Sequence, residues 1–181
     1  MKPNFSVRKV AFSGVIAAVY AAVTIALSFI SYGPIQFRIA EALTILPFFF
    51  PFTIWGLFVG CIIANLISPY MLLDIVFGSL ASLLAGLCTM QIGKIARDRV
   101  SMKVLACAPP VIFNAVIIGA MIAYIVVGTD NAYLFLSTFA ISGLQVGFGQ
   151  LVVLYAIGLP LLINLPKSKA FAKMTQYLGN N

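Results

Sequence analysis

Apolar segments long enough to cross a lipid bilayer recur along this chain, and they leave few folds open to it. Residues 10–30, 71–93, 104–127 and 135–163 form four such segments, and Asp74 is the only charged residue inside them. Hydrophobic residues make up 62% of the 181 residues and charged residues 8%, whereas soluble domains are about half apolar and about a quarter charged. A water-soluble fold would lack polar surface to cover its outside. The sequence predicts an all-α, polytopic membrane protein, with residues 1–181 as a single integral membrane domain.

The segment 39–67 does not fit a single straight crossing. One helix of this length would measure about 44 Å, but the hydrocarbon core of a bilayer is only about 30 Å thick. Pro47 and Pro51 interrupt the segment at "PFFFPF", and proline breaks the helical hydrogen-bond ladder. The segment is therefore either one tilted, kinked span or two short spans, 39–50 and 53–67.

The lysine and arginine positions favour two short spans. The basic residues fall before the first span, in the loop after residue 93 and after the last span, with Arg38 as the exception among eleven. Cytoplasmic segments are enriched in these residues. Six spans place all three clusters on one side, whereas five spans would separate them. We therefore predict six transmembrane helices with both termini in the cytoplasm.

With this topology, scarce polar groups gather in the outer half of the membrane. Ionisable side chains inside a span are costly and usually face a cavity or a partner, and carboxylates can accept two hydrogen bonds from an amidine-like edge. The sequence therefore predicts a pocket that is open to the outside and binds a small polar ligand. The candidate binding residues are Arg38, Glu41, Asn65, Asp74, Tyr124 and Gln145.

Structural roles compete with this interpretation. Arg38 and Glu41, three residues apart, can form an exposed pair at the membrane surface, which would contribute only about 0–1 kcal/mol. Tyr124 fits an interfacial tyrosine, and Gln145 can bridge two helices. A carboxylate inside a span needs compensation, so a binding role is favoured most for Glu41 and Asp74.

The first span carries two rows of small residues, which allow helices to approach closely in lipid. Packing inside the protein explains such rows, but their breadth also suits a partner subunit. The candidate partner-interface residues are Gly14, Ala17, Ala18, Ala21 and Ala22.

Sequence motifs for catalysis or metal binding are absent. Histidine is missing, and GxxxxGK[ST], HExxH, GxSxG and CxxC do not occur. We therefore expect no enzymatic activity, no cofactor and no metal, and any nucleotide hydrolysis that drives transport must come from another chain.

Three stretches, "YGPIQFRIAEALTILPFFFP", "GLFVGCIIANLISP" and "LLDIVFGSLASLLAG", resemble the QueT family. These proteins are substrate-binding S components of energy-coupling factor (ECF) transporters. The resemblance implies a six-helix S-component bundle in a bacterial plasma membrane that captures a queuosine precursor, queuine or a related 7-deazaguanine, from outside. It also implies partners, namely a transmembrane coupling subunit, contacted by an AxxxA row of the first helix, and two ATPases. Nucleic acid is not an expected partner.

Other functions remain open at this stage. A related S component would take another vitamin or a nucleobase. A small membrane-embedded enzyme would use Glu41 and Asp74 on a lipid substrate, and a structural scaffold subunit would bind no ligand.

Overall fold

The computed structural model describes residues 6–33, 35–96 and 99–178, and the regular secondary structure in these residues is helical, with no strands. Short apolar elements lie between long helices, and proline, glycine or polar turns separate them. We number the helices along the chain: α1 (Val7–Ala26), α2 (Ser28–Ser31), α3 (Ile39–Phe48), α4 (Thr53–Asn65), α5 (Met71–Leu73, continued by Asp74–Gly78 and Ser79–Ala96), α6 (Val100–Ala106), α7 (Ala108–Val127), α8 (Ala132–Val153, continued by Leu154–Gly158, Leu159–Asn164 and Leu165–Lys167) and α9 (Lys169–Leu178).

Among the described residues, four helical stretches are long and apolar enough to cross a membrane, namely Val7–Ala26, Met71–Ile95, Val100–Val127 and Ala132–Lys167. The helices α3 and α4 are apolar but shorter, with 10 and 13 residues. The α3 segment is a 3₁₀ helix, whose rise of about 2.0 Å per residue gives it a length of roughly 20 Å. The α4 helix reaches a similar length at about 1.5 Å per residue.

Contacts with α1 show that the chain reverses direction between α3 and α4. Near the start of α1, the Ser13 hydroxyl donates to the Phe52 carbonyl at 3.1 Å. About two turns further along α1, the Tyr20 hydroxyl reaches Glu41 at the start of α3. Thus α3 runs antiparallel to α1, and the "PFFFPF" turn returns the chain so that α4 runs parallel to α1.

Glycines allow these helices to pack closely. A Cβ added at Gly60 of α4 would lie 2.8 Å from the Ala17 carbonyl oxygen of α1, and one at Gly56 would collide with the Ser13 backbone. A Cβ at Gly119 of α7 would lie 2.7 Å from the Gly143 Cα of α8. Small residues at these crossings therefore set the distances between helices, as is usual in lipid.

The remaining long helices alternate in direction. The first part of α5 lies against the end of α4, because a Cβ at Gly78 would meet the Asn65 side chain. The last part of α5 lies against the end of α3, because a Cβ at Gly93 would meet the Phe48 backbone. The helix α9 packs back against the start of α1, where the Arg8 guanidinium donates a hydrogen bond to the Tyr177 carbonyl oxygen at 3.2 Å. The beginning and the end of the described chain therefore meet at the "PFFFPF" end of the bundle.

Candidate functional site

At the opposite end of the bundle, a buried polar cluster forms around Glu41. This residue lies in the first turn of α3 and is fully buried. Its Oε1 accepts a hydrogen bond from the Tyr20 hydroxyl of α1 at 2.5 Å, whereas Oε2 has no partner among the described residues. One carboxylate oxygen is thus fixed by the protein, and the second is left for another donor.

Arg38 precedes α3 and is only 2% exposed. Its guanidinium carbon lies 5.3 Å from the centre of the Tyr32 ring, and Nη1 lies 4.0 Å from Cys61 Sγ. Its Nε has no partner within the described chain. Arg38 is therefore buried inside the protein rather than exposed at the membrane surface, unlike the exposed pair with Glu41 that the sequence left open.

Asn65 and Asp74 form the other side of the cluster, where α4 meets α5. The Asn65 amide donates to the Asp74 carbonyl oxygen at 2.7 Å and approaches Cys61 Sγ at 3.4 Å. The Asp74 carboxylate accepts a hydrogen bond from the Ser68 hydroxyl. Asn65 Oδ1 and Asp74 Oδ1 both lack a partner among the described residues. Gly78 makes room for this contact, since a Cβ there would lie 2.7 Å from Asn65 Nδ2.

Several buried polar atoms of the cluster make no hydrogen bond to the described residues. Buried polar atoms without hydrogen bonds are rare, and each costs free energy. Here Arg38, Glu41, Asn65 and Asp74 each retain one such atom. Two carboxylates accompany one guanidinium, so the cluster carries one negative charge in excess when all three are ionised. The arrangement suits a small ligand that brings hydrogen-bond donors, an acceptor and a positive charge.

Gln145 lies beside this cluster rather than within it. It is half-buried and lines a cavity of about 280 Å³ together with Tyr32, Gln36 and Ser142. Tyr32 borders both regions, because its ring faces Arg38 and its hydroxyl donates to the Ala64 carbonyl at 2.6 Å. Tyr32 therefore separates the cavity from the buried charges.

Tyr124 has a different environment. It is 57% exposed and lines a separate, mainly apolar cavity of about 620 Å³ with Leu73 and Phe77. The structure does not bring it to the Glu41 cluster.

The small residues of α1 divide between two faces. Ala17 and Ala21 are buried, whereas Gly14, Ala18 and Ala22 are exposed. A Cβ at Gly14 would meet nothing within 4 Å. The row of Ala17 and Ala21 thus packs inside the protein. The row of Gly14, Ala18 and Ala22 is exposed and can contact another chain.

Several residues that contact the cluster were absent from the sequence-based candidates, namely Tyr20, Tyr32, Cys61, Ser68 and Ser82. Tyr20 stands between the small residues of α1, where a lone hydroxyl-bearing ring is a recognisable signal for a buried hydrogen bond. Cys61 precedes Asn65 by one turn of α4, and the spacing of four places both on one helical face. Ser82 of α5 lies 3.5 Å from the same sulfur.

A model of the QueT transporter family matches residues 10–167. The chain is similar to "Queuosine precursor transporter QueT" of Lactococcus lactis subsp. cremoris (strain MG1363), with 41% identity over 71 residues. That alignment covers 38% of this chain and 41% of the relative, so it spans less than half of either protein. No solved structure matches the chain. The family match covers most of the sequence, and the chain belongs to the QueT transporter family.

Proposed function

We propose that this protein is the substrate-capture S component of an ECF-type importer and that it binds a queuosine precursor, queuine or a related 7-deazaguanine. The observation that carries the proposal is the cluster of Arg38, Glu41, Asn65 and Asp74, in which each buried side chain retains a polar atom that has no hydrogen-bond partner among the described residues. The family match and the name of the Lactococcus relative support transport and this class of substrate.

The base edge of a deazaguanine complements Glu41. Its N1–H and 2-amino groups are adjacent donors, and a carboxylate can accept both. Glu41 Oε2 is free for one of them, and Oε1 has a second lone pair beyond the one that Tyr20 occupies. Arg38 Nε would donate to the carbonyl oxygen of the base.

A positive charge on the substrate would complement Asp74. The cluster has two carboxylates for one guanidinium, and a protonated amine on the 7-substituent would bring the missing charge. Asp74 Oδ1 is the free acceptor, and Asn65 Oδ1 is a second acceptor nearby. Gln145 joins the proposed site through the adjoining cavity, whereas Tyr124 does not, because it lines a different cavity.

The proposed topology has six crossings with both termini in the cytoplasm. Its support is the alternating direction of α1, α3, α4, α5, α7 and α8. To test it, cysteines are introduced at Arg99 and at Asp130 in a chain without native cysteines. An impermeant maleimide added to intact cells should label position 130 and leave position 99 unlabelled. Labelling of position 99 from outside would contradict the topology.

The proposed partners are a transmembrane coupling subunit and two ATPases. The exposed row of Gly14, Ala18 and Ala22 is the surface proposed for the coupling subunit, because Ala17 and Ala21 already pack inside the protein. Ala18→Trp should prevent co-purification of the coupling subunit without weakening substrate binding. Normal co-purification would exclude this row as the interface.

Calorimetry on the purified chain in detergent, without ATP, tests the substrate. We expect binding of queuine or its aminomethyl precursor with a dissociation constant below about 1 µM, equivalent to roughly −8 kcal/mol. Glu41→Gln should abolish binding, whereas Asp130→Asn, which changes an exposed carboxylate, should leave it intact. No heat with any deazaguanine would refute the substrate assignment, and heat with another vitamin or nucleobase in the same panel would identify a related S component instead.

A further inference from the structure

The C-terminal helix α9 has two distinct faces. Phe171 and Leu178 face the protein, and the Phe171 ring centre lies 5.0 Å from that of Phe49 and 5.4 Å from that of Phe50. Lys169, Lys173 and Tyr177 follow at intervals of four on the exposed face. The helix is therefore fixed to the "PFFFPF" turn, with its basic row directed outward.

Residues near the beginning of the chain extend this basic surface. The Arg8 guanidinium lies 4.7 Å from the centre of the Tyr177 ring and donates to the Tyr177 carbonyl. The Lys9 ammonium lies 5.7 Å from the centre of the Phe52 ring. Cations from both ends of the sequence thus converge around the same turn.

This surface has no acidic residue from its own segments. Residues 1–40 and 131–181 contain no aspartate or glutamate. The surface lies at one end of an apolar bundle, where lipid headgroups are the adjacent phase, and exposed Tyr177 is of the residue type that is enriched at that level. Lipid phosphates at that level can serve as counterions for this surface.

We propose that α9 is an interfacial helix that binds anionic phospholipid headgroups through Lys169 and Lys173, with Arg8 completing the site. Because the apolar face of α9 already packs against the protein, its binding to lipid rests on attraction between the basic face and the anionic headgroups. Each lysine near an anionic surface contributes about a fivefold preference. The helix thereby holds this end of the protein against the leaflet that is richer in anionic lipid.

The chain's single tryptophan provides the assay. Trp55 lies one turn after Phe52, is 55% exposed and lines a groove with Val10, so it is an exposed reporter at the same end of the bundle as α9. The full-length protein is reconstituted in phosphatidylcholine with brominated phosphatidylglycerol or brominated phosphatidylcholine at equal mole fractions. We expect stronger quenching of Trp55 by the brominated anionic lipid, and this difference should shrink at high salt.

Matched double variants show whether the preference for anionic lipid comes from a specific site on α9 or from the net charge of the protein. Lys169→Gln with Lys173→Gln should reduce the anionic preference by at least fivefold, and the arginine pair at the same positions should keep it. Lys94→Gln with Arg99→Gln removes two exposed cations from the same end of the bundle but not from α9, and should reduce the preference less. Equal quenching by both lipids in the unmodified protein, or an equal loss in the two glutamine variants, would overturn the proposal.

Discussion

Replacing Gly60 with alanine is a direct perturbation of the contact between α1 and α4. The added Cβ would lie 2.8 Å from the Ala17 carbonyl oxygen, 3.0 Å from Ala17 Cα and 3.0 Å from Tyr20 Cβ. Two of these atoms belong to the backbone, so rotation of a side chain cannot relieve the overlap. We expect α1 to shift and the Tyr20–Glu41 hydrogen bond to lengthen.

The size of the effect follows from two opposing terms. Overpacking a well-packed contact costs about 1–3 kcal/mol, and a rigid backbone contact belongs in the upper half of that range. Alanine in place of a helical glycine offsets up to about 1 kcal/mol. The net loss is about 1–2 kcal/mol, which lowers the melting temperature of a chain of this size by roughly 2–8 °C.

Thermal unfolding in detergent, followed by circular dichroism, measures this loss. Gly14→Ala is the matched control, because a Cβ at Gly14 meets nothing within 4 Å, and it should be as stable as the unmodified protein or slightly more stable. If Gly60→Ala unfolds at the same temperature as Gly14→Ala, α1 and α4 do not pack as described.

Three further predictions concern the polar cluster. Tyr20→Phe removes a hydrogen bond to a charged group, which is worth about 1.5–3 kcal/mol, so calorimetry should show a loss in deazaguanine affinity of about 10- to 100-fold; unchanged affinity would exclude Tyr20 from positioning Glu41. Asp74→Asn should weaken binding of an amine-bearing deazaguanine more than binding of a neutral one, and an equal effect on both would remove Asp74 from charge recognition. A cysteine introduced at Gln145, which lines the adjoining cavity, should react more slowly with a small methanethiosulfonate when ligand is bound, whereas Cys88 should react at the same rate, as measured by mass spectrometry of labelled peptides; identical rates at position 145 with and without ligand would place the ligand elsewhere.

The all-helical class and the long apolar stretches able to cross a membrane were predictable, because apolar length and scarcity of charge are properties of the sequence alone. The reversal at Pro47 and Pro51 was predictable in outline, since proline and the basic clusters both favour it. The form of α3 was not predictable, because a 3₁₀ helix of ten residues is uncommon. In the structure, α3 packs against α1 and α5, and these long-range contacts cannot be read from its local sequence.

Four of the candidate residues could be selected from the sequence because charged and amide side chains are rare in an apolar chain. Arg38, Glu41, Asn65 and Asp74 stand out from their surroundings by type alone. Tyr20 was missed because a tyrosine hydroxyl in an apolar helix indicates a buried hydrogen bond without naming its partner, and only the register of α1 against α3 brings it to Glu41. Tyr124 illustrates the same limit: the sequence indicated how deep in the membrane it lies, but not which side of α7 it occupies.

The central claim is that the Glu41 cluster holds a deazaguanine, and mass spectrometry of small molecules that co-purify with the protein tests it most directly. The unmodified protein and the Asp130→Asn control, expressed in cells supplied with queuine precursors, should each retain a near-stoichiometric 7-deazaguanine. The Glu41→Gln protein should retain none. A deazaguanine recovered equally from all three proteins, or from none of them, would contradict the account.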